Sequence, residues 1–427
     1  MRRTAPLLAL VVVLGLAASS AVARVGPALT STPPPTPVPP HGSPSPFPTS
    51  LATPPPGRVQ APPVGAESAI LEDLDSGQVL YAKRPDVPRP IASVTKIMTA
   101  DLALRRLHPG TLVTIGPEAA ALGSHDVGIS ELGLREGEKL TVEQLLEALL
   151  LQSANDAAVA LADAVSPSTD AFIALMNRTA KRLGLRNTVF FSPNGLDDRG
   201  HSTARSLATL TRTAEQLPLF ASLVRTKFAT IPAPTGVKAR NIQNRNVLLW
   251  LYPGTTGVKT GFTDAAGYCL VAAATRKGRR LVAVLLKDGS SQQSFNDAAA
   301  LLDYGFNAFH RQVVLEPGQL FPVTAGGVRY QVASVRSISA RVPMGENATS
   351  VFSVNVTSKG PLAQGQRAGV VIARINGLVV GRAPVKVTAV LGPVRPPTPP
   401  APPGAGSPPW VVDLGRAAAG LYHSVFG

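Results

Sequence analysis

Ile91-Ala-Ser-Val-Thr-Lys-Ile-Met-Thr99 is the stretch of this chain that says most about its architecture. Prolines within residues 88–90 break the chain just before it, and a helix-forming composition runs from Ser93 to about Leu107. Ser93 and Lys96 therefore lie one turn apart at the start of a predicted helix, on one face. A serine hydroxyl is a weak nucleophile until a base lies within hydrogen-bond reach. A lysine can serve as that base when burial or a neighbouring cation lowers its pKa.

Two further short motifs follow in order, Ser153-Ala-Asn155 and Lys259-Thr-Gly261, at separations of 60 and 106 residues. The first interrupts two helical stretches, a position that can present a hydroxyl and an amide into a cleft. The second enters a predicted strand, where the glycine lets a ligand backbone approach closely. A lysine beside a threonine hydroxyl suits a carboxylate ligand. Each motif is weak alone, but their joint order predicts an acyl-transfer site of the serine–lysine type.

The surrounding pattern predicts an α+β domain. Residues 69–83 are predicted to form a hairpin around Asp75-Ser-Gly-Gln78, and apolar strands return at Tyr268 to Ala274 and at 280–286. Helical sequence lies between these regions, where Thr141-Val-Glu-Gln144 is predicted to be a capping box that opens a helix, and again from Ser294 to Phe306. Strands first, helices in the middle and strands last predict a sheet that joins both ends of the segment. After Phe309, short alternating runs predict a small all-β module with a hairpin turn at Asn376-Gly377.

The motifs and their flanks resemble those of the serine D-alanyl-D-alanine carboxypeptidases, low-molecular-mass penicillin-binding proteins of peptidase family S11. The resemblance covers about residues 66–309. The stretches that carry it are Ile91–Thr99, Ser153–Leu161, Gly257–Thr263, Ala266–Tyr268 and Leu301–Phe306. It implies a serine β-lactamase/D,D-peptidase-like transpeptidase domain, a helical cluster plus an antiparallel sheet, followed by a small all-β domain.

The resemblance also implies catalytic roles. Ser93 attacks the carbonyl of the penultimate D-alanine of a peptidoglycan pentapeptide stem and becomes an acyl-ester, while Lys96 accepts its proton. Ser153 relays a proton to the leaving amine, and Asn155 helps to hold the substrate and Lys96. A β-lactam acylates Ser93 in the same way and leaves slowly, so β-lactams are implied to be covalent inhibitors.

Substrate-binding roles are implied for the third motif. Lys259 and Thr260 bind the terminal carboxylate, Gly261 belongs to the same binding strand, and the backbone N–H of Phe262 joins that of Ser93 in holding the oxyanion. The chain departs from the family between residues 200 and 206, where an aromatic residue is missing and Ser206 replaces an aspartate. A local change of packing or pocket shape is expected there.

The chain divides into six segments. They are a signal peptide (1–23), a Pro-rich disordered linker (24–65), the catalytic domain (66–309), a C-terminal β domain (310–392), a second Pro-rich linker (393–409) and a tail (410–427). The charged, apolar and Ala-x-Ala regions of the first segment are typical of secretion signals. An exported protein at the outer face of the cytoplasmic membrane is therefore expected. The tail has helical spacing of apolar residues, so it either lies in a membrane interface or is frayed.

The charge and the residue composition indicate which classes of molecule this protein binds. The chain has a net charge of +15. Between residues 311 and 395 there are ten Lys and Arg residues and only two acidic residues. No nucleic-acid-binding motif accompanies this charge, so no nucleic acid is expected, and anionic lipid or wall polymers are the expected counterparts of an exported basic protein. One cysteine and six histidines without metal-ligand spacing predict no metal and no cofactor.

Three alternatives remain open at this point. The same scaffold supports β-lactamases and D,D-endopeptidases, although a serine β-lactamase of the first class typically has Ser-Asp-Asn where this chain has Ser153-Ala-Asn155. The third alternative is a non-catalytic wall-binding protein, in which the basic β domain would be the binding domain.

Overall fold

The structure is a computed structural model that describes residues 60–122, 130–233, 239–358 and 360–394. The predicted signal peptide and tail lie outside the described residues, as does most of both Pro-rich linkers.

Helices and strands are numbered in chain order within the described residues. The helices are α1 (Lys96–Arg106), α2 (Pro117–Leu122), α3 (Val142–Glu147), α4 (Asn155–Val165), α5 (Thr169–Leu183), α6 (Ala204–Ala214), α7 (Pro218–Arg225), α8 (Leu248–Leu251) and α9 (Ser291–Asn307). The strands up to α9 are β1 (Ser68–Asp73), β2 (Val79–Lys83), β3 (Arg89–Pro90), β4 (Leu112–Thr114), β5 (Lys139–Thr141), β6 (His201–Ser202), β7 (Phe228–Ile231), β8 (Arg240–Gln243), β9 (Thr255–Thr263), β10 (Gly267–Arg276) and β11 (Arg279–Asp288). The strands after α9 are β12 (Phe309–Leu315), β13 (Leu320–Ala325), β14 (Val328–Ser334), β15 (Ile338–Pro343), β16 (Val351–Val356), β17 (Arg367–Ile375) and β18 (Leu378–Pro393).

A five-stranded antiparallel sheet in the order β2-β1-β11-β10-β9 organises the first domain. Strand β1 pairs with β11, so that Ile70 lies opposite Val284, although the two residues are far apart in sequence. The predicted meeting of both ends of the segment in one sheet is therefore confirmed. The predicted hairpin between β1 and β2 is confirmed as well.

Apolar cores cover both faces of this sheet, and for this reason the sequences of β10 and β11 are apolar almost throughout. Val282 and Val284 of β11 pack into the helical cluster, whereas Leu281 and Leu285 face α9 and the opposite core. Gly305 lets α9 lie close to the sheet. A Cβ at this position would lie 2.6 Å from the side chain of Leu281, which would then have to move. The sheet is thus a rigid middle layer between two apolar cores.

The helical cluster contains two local irregularities that position polar side chains. A 3₁₀ turn at Ala92–Thr95 leads into α1, which is buried from Lys96 to Ala103. A π turn at Ala148–Gln152 separates α3 from α4. The helix α3 begins with the predicted capping box, in which Gln144 N donates to Thr141 Oγ1 at 3.2 Å and Thr141 N donates to Gln144 Oε1 at 2.8 Å.

The C-terminal strands form the predicted all-β domain. Strands β12 and β15 pair with each other, and a separate sheet has the order β13-β14-β18-β17-β16. Asn376 and Gly377 form the predicted turn between β17 and β18, with φ values of +49° and +77°. The α+β fold class with a small all-β domain is confirmed. Among the described residues no single helix is long and apolar enough to cross a membrane, whereas α4 and α5 reach that length and apolarity only as a pair bent by 86°.

Candidate active site

Ser93 and Lys96 meet because of the 3₁₀ turn that precedes α1. Ser93 lies within this turn rather than in the α-helix, and Lys96 is the first residue of the helix. Residues three apart nearly eclipse each other in a 3₁₀ turn. The Lys96 Nζ atom accordingly donates a hydrogen bond to Ser93 Oγ at 2.7 Å.

Lys96 is fully buried and makes three hydrogen bonds, as many as its ammonium group has donors. Besides Ser93 Oγ, the acceptors are Asn155 Oδ1 at 2.7 Å and the backbone oxygen of Asn194 at 2.9 Å. None of these three acceptors is a carboxylate. Burial, followed by the positive charges of Lys259 and Arg245, lowers the pKa of Lys96 well below its ordinary value. The lowered pKa disfavours the ammonium form, which is the direction that a proton acceptor for Ser93 requires.

The second motif lies at the junction of the π turn and α4. Ser153 has a left-handed backbone with φ +67° and is 4% exposed, and its conformation ends the π turn. Asn155 is the first residue of α4, and its backbone N–H donates to the Ser130 oxygen at 2.8 Å. The helix break thus directs Ser153 and Asn155 toward one cavity, which both residues line.

The third motif lies on β9, the edge strand of the sheet. A Cβ on Gly261 would lie 3.0 Å from the oxygen of Ile91 and 3.1 Å from the nitrogen of Ser93, tighter than most real Cβ contacts. Glycine therefore lets β9 lie directly against the turn that carries the serine. Thr260, Gly261 and Phe262 consequently line the same cavity as Ser93.

The cavity has a volume of about 100 Å³, which is room for a small side chain. Its walls bring together most of the residues predicted from sequence: Ser93, Ser153, Asn155, Thr260, Gly261 and Phe262. Lys96 reaches this group through its hydrogen bonds to Ser93 and Asn155.

Lys259 is placed differently from the other residues of its motif. Its side chain is buried, does not line the cavity and donates to the backbone oxygen of Thr260 at 2.9 Å. Burial, followed by the charge of Arg245, lowers the pKa of Lys259 to about 7. Lys259 is therefore a charge behind the cavity wall that acts on Lys96.

Sequence reasoning missed Arg245, a cation that does line the cavity. Its backbone N–H donates to the Leu151 oxygen at 3.0 Å, which ties the segment before β9 to the π turn. Burial lowers the pKa of its guanidinium group. No recognisable motif surrounds Arg245, so only its position in the tertiary structure identifies it. Ser130 also lines the cavity and was likewise not predicted.

Asp156 follows Asn155 in the chain but does not line the cavity. It lies in the first turn of α4, whose N-cap residue is Ala154. Its buried carboxylate accepts backbone N–H groups of the segment that follows Ser130 and one from its own helix. The donors are Leu132, Gly133, Leu134 and Ala157. Asp156 therefore anchors a segment of the cavity wall.

The unusual segment at residues 200–206 lies outside the cavity lining. Ser206 belongs to the first turn of α6, where its N–H donates to the N-cap Thr203 and its hydroxyl donates to the Arg186 oxygen at 2.8 Å. His201 Nδ1 lies 2.9 Å from the Arg199 oxygen. Both side chains have local backbone partners. No cluster of three His, Cys, Asp or Glu side chains that could hold a metal ion occurs in the part of the chain that the structure describes.

Comparison with known proteins agrees with this geometry. The profile of family Peptidase_S11, described as D-alanyl-D-alanine carboxypeptidase, matches residues 56–290. The chain is 30% identical to D-alanyl-D-alanine carboxypeptidase DacF of Bacillus subtilis over 75% of its own length and 84% of the relative. It is 34% identical to D-alanyl-D-alanine carboxypeptidase DacC of Escherichia coli over 77% of its own length and 85% of the relative.

Solved structures match this chain as well. The crystal structure of penicillin binding protein 5 from Haemophilus influenzae matches with a TM-score of 0.64 and 30% identity, covering 78% of this chain and 99% of that chain. The DD-transpeptidase of Streptomyces K15 matches with a TM-score of 0.55 and 36% identity over 58% of this chain and 99% of that chain. The resemblance seen in the three motifs is confirmed, and the chain belongs to peptidase family S11, the D-alanyl-D-alanine carboxypeptidases.

Proposed function

We propose that this enzyme removes the terminal D-alanine from peptidoglycan pentapeptide stems through an acyl-ester on Ser93. The observation that carries the assignment is the 2.7 Å contact between Ser93 Oγ and the amine of Lys96, a fully buried lysine with no carboxylate among its hydrogen-bond partners. This arrangement supports a lysine that is neutral when substrate arrives and that activates the serine.

In the proposed first half-reaction, Ser93 Oγ attacks the carbonyl carbon of the penultimate D-alanine, and its proton passes to Lys96. The oxyanion receives hydrogen bonds from the backbone N–H groups of Ser93 and Phe262, worth about 3 kcal/mol per donor in comparable sites. Collapse of the tetrahedral intermediate breaks the peptide bond. The proton moves from Lys96 through Ser153 to the leaving amine, and Asn155 keeps Lys96 in position.

In the second half-reaction, a water molecule attacks the acyl-ester carbonyl. Lys96 accepts a proton from that water and returns it to Ser93 Oγ as the ester bond breaks. The shortened peptide leaves with a new carboxylate. A β-lactam forms the same bond to Ser93, so a penicillin is proposed to acylate the enzyme and to leave slowly.

Recognition of the terminal carboxylate is proposed to use the hydroxyl of Thr260 together with the charges of Lys259 and Arg245. The location of Lys259 behind the wall supports an electrostatic role, whereas Arg245 lines the cavity and is available for direct contact. A carboxylate in this position would also raise the pKa of Lys259 and keep it charged.

The location of the enzyme is also part of the proposal. The secretion signal predicted in residues 1–23 would place the enzyme outside the cytoplasm, where peptidoglycan lies. The predicted tail at 410–427 would keep it at the membrane surface. A shift in mass of the secreted protein that corresponds to loss of the signal peptide, and release from membranes after deletion of 410–427, are the expected results.

The test of the activity is release of D-alanine from a pentapeptide stem. Ser93→Ala and Lys96→Ala are expected to abolish release and labelling by a fluorescent penicillin. Lys259→Ala is expected to raise KM more than it lowers kcat. Ser206→Ala and Lys181→Ala, which lie outside the cavity lining, serve as controls and should remain active. Undiminished release by Ser93→Ala, or rapid turnover of a chromogenic cephalosporin, would contradict the assignment.

A further inference from the structure

A second cleft, of about 600 Å³, lies where the β domain meets the β1–β2 and β10–β11 turns of the catalytic domain. None of the residues that line it lines the candidate active site. Its wall contains arginines contributed by separate segments of the β domain: Arg311, Arg336, Arg341 and Arg382. Ser76, Ser337 and Ser339 also line it, so hydroxyl donors accompany the positive charges.

The pairing of β12 with β15 forces two of these arginines together. Arg311 lies directly opposite Arg341, while Ile338 and Ala340 point to the other side of β15, into the core of the β domain. Directly opposed like charges on a strand pair destabilise it. Gln78 holds the backbone of Arg341 with two hydrogen bonds of 2.6 Å, so the cleft is fixed between the domains.

Acidic side chains of the cleft neutralise only part of this charge. Asp73 lies 3.1 Å from Arg341, and Asp75 lies 3.4 Å from Arg280, which does not line the cleft. The other three cleft arginines are exposed: Arg311, Arg336 and Arg382. Within the part of the chain that the structure describes, none of these three forms an ion pair. The nitrogen Nη2 of Arg336 donates only to a backbone oxygen, that of Arg382, at 3.3 Å.

Buried polar atoms next to the cleft are also unsatisfied. Ser339 Oγ, on the cleft wall, is buried without a hydrogen-bond partner. Arg279 is 9% exposed, and its Nε and Nη2 atoms have no partner. Burial, followed by the charge of Arg341, lowers the pKa of Arg279 to about 10, which indicates that the positive field extends behind the wall.

We propose that this cleft binds phosphate groups carried by a soluble polyanion. Three exposed guanidinium groups without carboxylate partners match several negative charges, and the planar guanidinium fork with nearby hydroxyls matches phosphate oxygens. The volume exceeds the space that a single phosphate ion occupies and lies within the range of ordinary ligand sites. The site would hold a phosphodiester polymer beside the catalytic domain, independently of the reaction at Ser93.

The test uses the full chain and three soluble probes at fixed ionic strength: inorganic phosphate, tripolyphosphate and a glycerol-phosphate oligomer. Calorimetric titration is expected to show that the oligomer and tripolyphosphate bind at least about tenfold more tightly than inorganic phosphate. The double variant Arg311→Gln/Arg382→Gln should weaken oligomer binding by about tenfold or more. Its rate of D-alanine release from a soluble pentapeptide should equal that of the unaltered enzyme.

The matched control is Arg329→Gln/Lys386→Gln, which removes two charges from exposed positions of the same domain outside the cleft. Its affinity for the oligomer should change less than about twofold. Equal weakening by both double variants would show that overall charge, not the cleft, is responsible and would overturn the proposal. Binding to anionic phospholipid vesicles without binding to any soluble phosphate probe would overturn it too.

Discussion

The amine of Lys96 lies 2.7 Å from the hydroxyl of Ser93 and is held there by neutral acceptors only. A lysine paired with a carboxylate would keep its proton, because the opposite charge stabilises the ammonium form. Here burial and two neighbouring cations act in the opposite direction and outweigh the charge of Asp156, which raises the pKa of Lys96. The short contact is thus not a structural ion pair, and it has the geometry that the proposed activation of Ser93 by Lys96 requires.

The pH dependence of kcat/KM is expected to be bell-shaped. Activity should rise as Lys96 loses its proton, because only the neutral amine accepts the Ser93 proton. It should fall as pH rises above about 7 in the free enzyme, because Lys259, with its pKa lowered to about 7, then loses the charge that attracts the carboxylate. The two lysines interact, so the two limbs describe the pair. Rates of D-alanine release from pH 5 to pH 10 measure the profile.

Lys259→Arg separates the two limbs. Arginine stays charged over this range, so the alkaline limb should disappear while the acidic limb remains. Persistence of the alkaline limb in Lys259→Arg would assign it to another group.

Asn155→Asp should move the acidic limb toward higher pH. Asn155 accepts a hydrogen bond from Lys96 at 2.7 Å, and a carboxylate in its place would raise the pKa of Lys96. A displacement of about 1 to 3 pH units is expected, with a corresponding loss of activity at pH 7 and partial recovery in alkali. Asn155→Ala should reduce kcat/KM without moving the limb toward alkaline pH. Identical profiles for the two variants would exclude an electrostatic role for this position.

Asp156→Ala should destabilise the protein by about 2–3 kcal/mol, because it leaves several backbone N–H groups without their acceptor. The loss should appear as a lower Tm in thermal unfolding followed by circular dichroism. Since the anchored segment follows Ser130 on the cavity wall, kcat/KM should fall as well. Asp170→Ala, at an exposed position in the first turn of α5, is the control and should cost less than about 1 kcal/mol. Equal losses of stability in the two variants would show that the hydrogen bonds of Asp156 stabilise the protein no more than an exposed carboxylate does.

Glu72→Gln should stabilise the protein at pH 8 and have little effect at pH 5. Arg212 lies 3.5 Å from Glu72, but burial outweighs its charge and raises the pKa of Glu72 to about 7. Because this pKa exceeds the unfolded value, the folded state binds more protons, and stability falls as pH rises from about 4.5 through 7. Glutamine removes this loss, worth about 1–3 kcal/mol at pH 8. The difference in Tm between variant and parent should therefore grow with pH, unlike that of the exposed control Glu143→Gln.

Local pattern predicted much of the fold. The hairpins at residues 69–83 and around Asn376, the capping box at Thr141 and the break at Ser153 all depend on neighbours in the chain, and the structure contains each of them. The nature of the turn at Ser93 was not predictable in the same way, because a 3₁₀ turn and an α-helical start share the same spacing of residues three apart.

For this protein the sequence by itself determined the family and the order of the candidate reactive groups, since three short motifs and their flanks carry the family resemblance. The tertiary structure decided their chemical state. Burial removes water from Lys96 and Lys259, and Arg245, which no motif marks, adds charge beside both. The arginine cleft between the domains likewise exists only after folding, because strand pairing sets Arg311 opposite Arg341. Desolvation and the proximity of charges depend on residues that are distant in the chain, so these effects cannot be predicted from local sequence.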